Sequence, residues 1–168
     1  MIINKHFQKI AIILPILILG SWVFLLETPA YWGTEIRLKI QGYDPRDLLS
    51  GHYLLYRVNY DIPSLCKQAI LHPINNQCVC FKETSPDTVA KSTWTGNCNE
   101  RPENCGVYLQ GNCEHSQFIT GIERFYIPEK FKITIIPKGA NVVLKVFNGK
   151  ASVQDIEVDG TSILKLKP

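Results

Sequence analysis

Ile10 to Leu26 (IAIILPILILGSWVFLL) is a run of seventeen uncharged residues, and no comparable run recurs in the chain. Lys5, His6 and Lys9 precede it and Glu27 follows at once. At about 1.5 Å per residue such a helix spans roughly 25 Å, a little short of a hydrocarbon core of about 30 Å, so the flanks have to complete the crossing. Lys9 can snorkel at one boundary, and Trp22, Tyr31 and Trp32 suit the other. Pro15 lies near the start of the run, where lipid tolerates a kink. A core helix would carry a polar stripe, whereas this stretch offers only Gly20 and Ser21. A cleavable signal peptide is the alternative, with small residues around Thr28-Pro29-Ala30, but the run exceeds the usual apolar region of about 7 to 15 residues. The expectation is a positive flank over 1–9 kept in the cytoplasm, an anchor through the lipid bilayer over 10–27, a linker over 28–34 and an exported domain over 35–168.

Beyond the anchor the apolar residues recur with a period of two. Glu35 to Gln41 places Ile36, Leu38 and Ile40 on one face, and Tyr53 to Tyr60 is rich in aromatic and branched residues. Near the end, Val142 to Phe147 runs into Asn148-Gly149, Ala151 to Val158 into Asp159-Gly160, and Ser162 to Leu166 follows. Asn-Gly and Asp-Gly supply the positive φ angles of two-residue hairpin turns, so a three-stranded meander is expected. Phe125 to Ile127 and Phe131 to Ile136 are further strand candidates, the second alternatively a short helix stopped by Pro137. The predicted fold is mainly β, with a β-rich α+β arrangement as the alternative. It comprises one N-terminal transmembrane helix and one mostly antiparallel domain carrying a Cys-rich loop insertion over 66–113.

Composition changes this picture in two ways. Eighteen Lys plus Arg against 15 Asp plus Glu give a net charge of only +3, too weak for the phosphate-neutralising surface that nucleic-acid binding demands. All six cysteines, Cys66, Cys78, Cys80, Cys98, Cys105 and Cys113, fall in the expected exported part. An even count there fits a disulfide framework bracing a region that, from Lys82 to Asn112, is mostly small, polar or charged. Six thiols allow about 15 pairings, and spacing selects none of them. A metal site using these sulfurs with His72 or His115 is disfavoured because Cys78-Val79-Cys80 is tighter than zinc-ligand spacing. A redox pair would want Cys-x-x-Cys, and the chain has none.

Two segments outside the cysteine region are distinctive. One is Gly42-Tyr43-Asp44-Pro45-Arg46-Asp47-Leu48-Leu49-Ser50-Gly51-His52-Tyr53, continued by Leu54 to Tyr60; the other is Gly121-Ile122-Glu123-Arg124-Phe125-Tyr126-Ile127-Pro128-Glu129. Together they resemble the GDYXXLXY family of bacterial membrane-anchored proteins, in which a turn rich in Asp, Pro and Arg leads into Gly-Asp-Tyr and a later Gly-Ile-Glu-Arg element follows. His52 stands where the family motif has Asp, and the Leu-x-Tyr half falls two residues late, as Val58-Asn59-Tyr60. Two residues make one full pleat, so the inward face is preserved. The resemblance implies a location and a fold more than an activity: the bacterial inner membrane, with the N-terminus in the cytoplasm and the C-terminal domain in the periplasm or outside.

The candidate motif residues are therefore Asp44, Pro45, Arg46, Asp47, Gly51, His52, Tyr53, Tyr60, Gly121, Glu123, Arg124, Tyr126, Pro128 and Glu129. Structurally, Pro45 holds Asp44 extended, Asp47 and Ser50 cap a turn, and Glu123 and Arg124 are positioned by charge to pair with Arg46 and Asp47. Chemically, Asp47, His52 and Glu123 are acid–base candidates, Ser50 a nucleophile and Arg46 or Arg124 an anion clamp, but no local spacing sets a nucleophile beside a base. The aromatic set Tyr43, Tyr53, Tyr56, Tyr60, Phe125 and Tyr126 reads as packing rather than a ligand cage. No catalytic residue, metal ligand or cofactor is assigned. The function expected is a non-enzymatic assembly or interaction module that docks with other integral membrane proteins. The alternative is an envelope enzyme or a thiol- or metal-active protein using Asp47, His52, Glu123 or a Cys pair.

Overall fold

A computed structural model describes residues 5–43, 53–62, 65–69, 72–82, 88–128 and 136–165. Helix α1 (Lys5–Trp32) comes first, followed by ten strands: β1 (Thr34–Tyr43), β2 (Tyr53–Val58), β3 (Ile74–Phe81), β4 (Ser92–Asn97), β5 (Val107–Glu114), β6 (Gln117–Ile119), β7 (Arg124–Tyr126), β8 (Asn141–Phe147), β9 (Lys150–Val158) and β10 (Thr161–Ser162). The mainly antiparallel β architecture is as expected, arranged in two sheets with strand orders β10-β9-β8-β1-β2-β7 and β4-β3-β5-β6.

α1 is apolar around its whole circumference. Ile10, Ile12, Ile13, Leu14, Ile16, Leu17, Ile18 and Leu19 cover every face of it and all are more than half exposed. Among the described residues no helix is long and apolar enough to cross a membrane. The uncharged side chains described run from 10 to 25, about 24 Å of helix against a core of about 30 Å. The expected linker over 28–34 is helical as far as Trp32, leaving Gly33 between α1 and β1. Thr28 is no boundary there, because its hydroxyl donates back to the Phe24 carbonyl at 2.9 Å, one helical turn earlier.

β1 organises the first sheet by dividing its hydrogen bonds. Thr34 to Lys39 pair with β8, and Ile40 to Tyr43 pair with β2. Its alternation buries Ile36, Leu38 and Ile40 on one face, as the sequence predicts. On the other face Arg37 bridges Glu35 at 2.8 Å and Glu157 on β9 at 3.0 Å. Both expected hairpin turns form: Asn148 and Gly149 have φ of 48° and 80°, Asp159 and Gly160 of 50° and 75°. The third meander strand is shorter than expected. After Thr161–Ser162 the chain enters a 3-10 turn over Ile163–Lys165, in which the Ser162 hydroxyl accepts from the Leu164 amide and Ile163 is buried. Residues 131–135 of the other strand candidate lie outside the described residues; Ile136 is buried.

The Cys-rich stretch is not a loop insertion but the second sheet. Val79, Phe81, Val107 and Leu109 point into a core shared with Leu38, Tyr56, Val142, Leu144 and Ile156 of the first sheet. Cys78 and Cys80, one pleat apart, occupy the opposite face and are also buried. Disulfides Cys78–Cys98 and Cys80–Cys105 fasten the 98–105 segment over that face, and Cys66–Cys113 ties the approach to β3 to the end of β5. All six sulfurs are paired. This sheet is therefore covered on both sides, by the shared core and by a cystine-stapled segment.

The sheets also meet at the β8–β9 turn. The Gln110 amide of β5 donates to the Gly149 carbonyl at 2.9 Å, and the Tyr108 hydroxyl donates to Asn148 Oδ1 at 2.8 Å.

Candidate functional site

The two motif segments converge on β2 and β7. Tyr53, Leu54 and Leu55 pair with Tyr126, Phe125 and Arg124 in register. Alternation turns Leu54 and Phe125 inward and leaves Tyr53, Tyr126 and Arg124 on the outer face. There the rings of Tyr53 and Tyr126 lie 6.0 Å apart at 54°, and the Arg124 guanidinium sits 5.7 Å from the Tyr53 ring centre, within cation–π range. Tyr126 is 69% exposed. An aromatic and cationic patch thus occupies the β7 edge of the first sheet, beside Tyr53 at the start of β2.

The other faces of the motifs are internal joints. Tyr56 is buried; its hydroxyl donates to the Ile122 carbonyl and its amide donates to the Glu123 carbonyl at 3.2 Å. Glu123 Oε1 accepts from the Thr120 amide at 2.7 Å and the Thr120 hydroxyl at 3.2 Å. Thr120-Gly121-Ile122-Glu123 has the Thr-x-x-Glu spacing by which a carboxylate reaches back to an amide three residues earlier, a signal present in the sequence that points to Thr120. Gly121, at φ 85°, closes that turn. Tyr60 continues the inward face of Leu54 and Tyr56, as the two-residue shift requires. It packs edge-on to Phe118 at 5.1 Å, and its hydroxyl lies 3.4 Å from that of Thr120. Ile122 and Ile127 are buried, whereas Pro128 is exposed.

Beside this joint is a cleft of about 470 Å³ whose lining includes Arg57, Tyr60, Asp61, Leu65, Phe118 and Glu123. The described Glu123 hydrogen bonds are spent on Thr120, and burial pushes the Tyr60 phenol well above its ordinary pKa, with the Thr120 hydrogen bond opposing and the nearby Glu123 charge reinforcing the shift. Tyr56 is raised in the same direction by burial, then by Glu123 and Tyr60. Asp44, Pro45, Arg46, Asp47, Ser50, Gly51, His52 and Glu129 lie outside the described residues, as does any pairing of Glu123 and Arg124 with Arg46 and Asp47. Among the described residues no group of His, Cys, Asp and Glu side chains is arranged to hold a metal ion. The cysteines contribute no thiolate, since each sulfur is bonded to another.

The joint has a measurable signature. Tyr56→Phe is expected to lower stability by about 1–3 kcal/mol, because it strands the buried Ile122 carbonyl. The wild type should also weaken in alkali. Above pH 10 the unfolded chain releases both phenolic protons while the fold retains them, so stability falls with rising pH by about 1.4 kcal/mol per unit for each tyrosine until its raised folded pKa is reached. Urea melts between pH 9 and 11 check both: Tyr60→Phe should remove about half of the slope due to the pair, and an unchanged slope would show that the Tyr60 phenol is not protected.

The family model described as GDYXXLXY protein matches residues 15–156. No curated protein and no solved structure matches the chain.

Proposed function

This chain belongs to the GDYXXLXY family, and from that premise we propose that it is an inner-membrane protein whose single N-terminal helix anchors an extracytoplasmic interaction domain. The observation that carries the proposal is the exposed, all-round apolar surface of α1, from Ile10 at 59% to Leu25 at 71%, on a chain whose six cysteines are all oxidised. A helix apolar on every face is stable only inside a core or in lipid, and α1 has no core around it. The full helix has 28 residues, about 42 Å, so the flanks make up what the uncharged run lacks: Lys9 on one side, Tyr31 and Trp32 on the other. The positive flank favours an N-terminus left in the cytoplasm, and the disulfides favour an oxidising space for the rest.

For the domain, the proposed use is assembly with other integral membrane proteins rather than chemistry. The Tyr53, Arg124 and Tyr126 patch is open and combines residue types enriched in protein interfaces, whereas Glu123 and Tyr60 are occupied in holding the fold together. The enzymatic alternative then rests on Asp47 and His52.

Two measurements test this in sequence. A C-terminal alkaline phosphatase fusion should be active and the chain should resist carbonate extraction, whereas Leu14→Arg with Leu17→Arg should release it from the membrane fraction; a phosphatase-inactive fusion overturns the topology. Purification in mild detergent should then recover a partner in wild type that Tyr126→Ala with Arg124→Ala loses. A lone monomer in both preparations overturns the assembly role.

A further inference from the structure

Thr34, two residues beyond the end of α1, pairs with Val146, so the helix leaves the first sheet at the end where the β8–β9 hairpin turns. α1 contacts both β8 and β9. The last residue of β8 at that turn is Phe147, 43% exposed, and its cross-strand partner is the exposed Lys150. A single exposed phenylalanine would need no explanation. This one shares its end of the domain with Tyr31 and Trp32, 77% and 72% exposed. The turn carrying it is held rigidly: Asn148 accepts from the Tyr108 hydroxyl, Gly149 accepts from the Gln110 amide, and the Arg101 guanidinium stacks 3.8 Å over the Tyr108 ring. Two exposed aromatics at a helix exit and a third on a braced hairpin tip, with a long cationic side chain opposite it, form the pattern of an interfacial belt.

We propose that the β8–β9 tip is a second membrane contact: Phe147 enters the lipid headgroup region beside Tyr31 and Trp32, while Lys150 reaches lipid phosphates. This rests on the anchor reading above and adds to it an orientation of the domain. With the helix exit and the tip both at the bilayer, the sheet stands on its Thr34–Val146 end. The Tyr53, Arg124 and Tyr126 patch, paired with the Tyr43 end of β1, is then held about 30 Å away from the lipid.

The test uses the full chain in nanodiscs of phosphatidylethanolamine and phosphatidylglycerol, with a benzophenone amino acid replacing Phe147 in one preparation and Tyr126 in another. Both positions are exposed aromatics, so neither replacement disturbs the core. Lipid adducts are expected at 147 and none above background at 126. In parallel, fluorescence of Trp22 is read against chain-brominated lipid, using Trp32→Phe with Trp94→Phe to isolate it. Quenched Trp22 with no lipid adduct at 147 overturns the tip contact while leaving the anchor intact. An adduct at 147 to a second protein chain overturns it in favour of a protein interface. Unquenched Trp22 overturns the anchor, and the tip contact with it. If adducts form, Lys150→Glu should lower their yield in phosphatidylglycerol-containing discs; an undiminished yield removes the role assigned to Lys150.

Discussion

Replacing Cys78, Cys80, Cys98 and Cys105 together by alanine is expected to lower the stability of the domain by about 5 kcal/mol. Bridges closing 20 and 25 residues are each worth about 3.3–3.5 kcal/mol through the entropy they remove from the unfolded chain. The loops overlap over residues 80–98, so closing the second costs less once the first is closed and the two do not simply add. The native state loses something as well, because Cys78 and Cys80 are almost fully buried and the 98–105 segment has no other covalent hold on that face of β3. Against a typical total of about 5–15 kcal/mol, such a loss brings the domain to the edge of unfolding. Urea melts followed by Trp94 fluorescence check it, with the Cys66→Ala and Cys113→Ala pair, a 47-residue closure worth about 4 kcal/mol, as comparison. A loss under about 1 kcal/mol would mean that the second sheet stands without its staples.

Gly149→Val carries the next largest effect. Gly149 sits at φ 80°, and a Cβ there would lie 2.6 Å from Tyr108 Cε2 and 3.2 Å from Gln110 Cβ. Backbone strain alone costs about 1–3 kcal/mol. The side chain would also push the hairpin off β5, breaking the Gly149–Gln110 and Asn148–Tyr108 hydrogen bonds that join the sheets. A total of about 3–4 kcal/mol, or roughly 10 °C in melting temperature, is expected. Gly160→Val separates the two causes, since Gly160 has nearly the same φ, 75°, with nothing within 4 Å of its would-be Cβ. Equal destabilisation of both variants would show that docking of the turn on β5 contributes nothing.

Features that depend on neighbouring residues were legible in the sequence. Asn148-Gly149 and Asp159-Gly160 place their turns because the requirement for two positive φ angles is local, and Ile36, Leu38 and Ile40 show their buried face through strict alternation. The second sheet was hidden because its inward residues, Val79, Phe81, Val107 and Leu109, alternate with Cys78, Cys80, Tyr108 and Gln110 in a stretch whose remaining residues are mostly small and polar. The burial of its outer face depends on bridges that a pattern with a period of two cannot express. At the candidate site the meeting of the two motifs follows from the Tyr53–Tyr126 register, which no local signal encodes. Glu123 accepts from Thr120, three residues back, because a turn is satisfied cheaply by its own amide, and the Thr-x-x-Glu spacing carries that signal locally.

The divided pairing of β1 has a consequence for biosynthesis. Its first half waits for β8, where Ile36 faces Leu144, about a hundred residues downstream. At a ribosomal rate of about 5–20 residues per second, that strand emerges with an open edge for roughly 5–20 seconds before its neighbour has been made. The earliest strand to be translated is thus among the last to be completed, and a nascent chain stalled before residue 141 would present a ready template for aggregation.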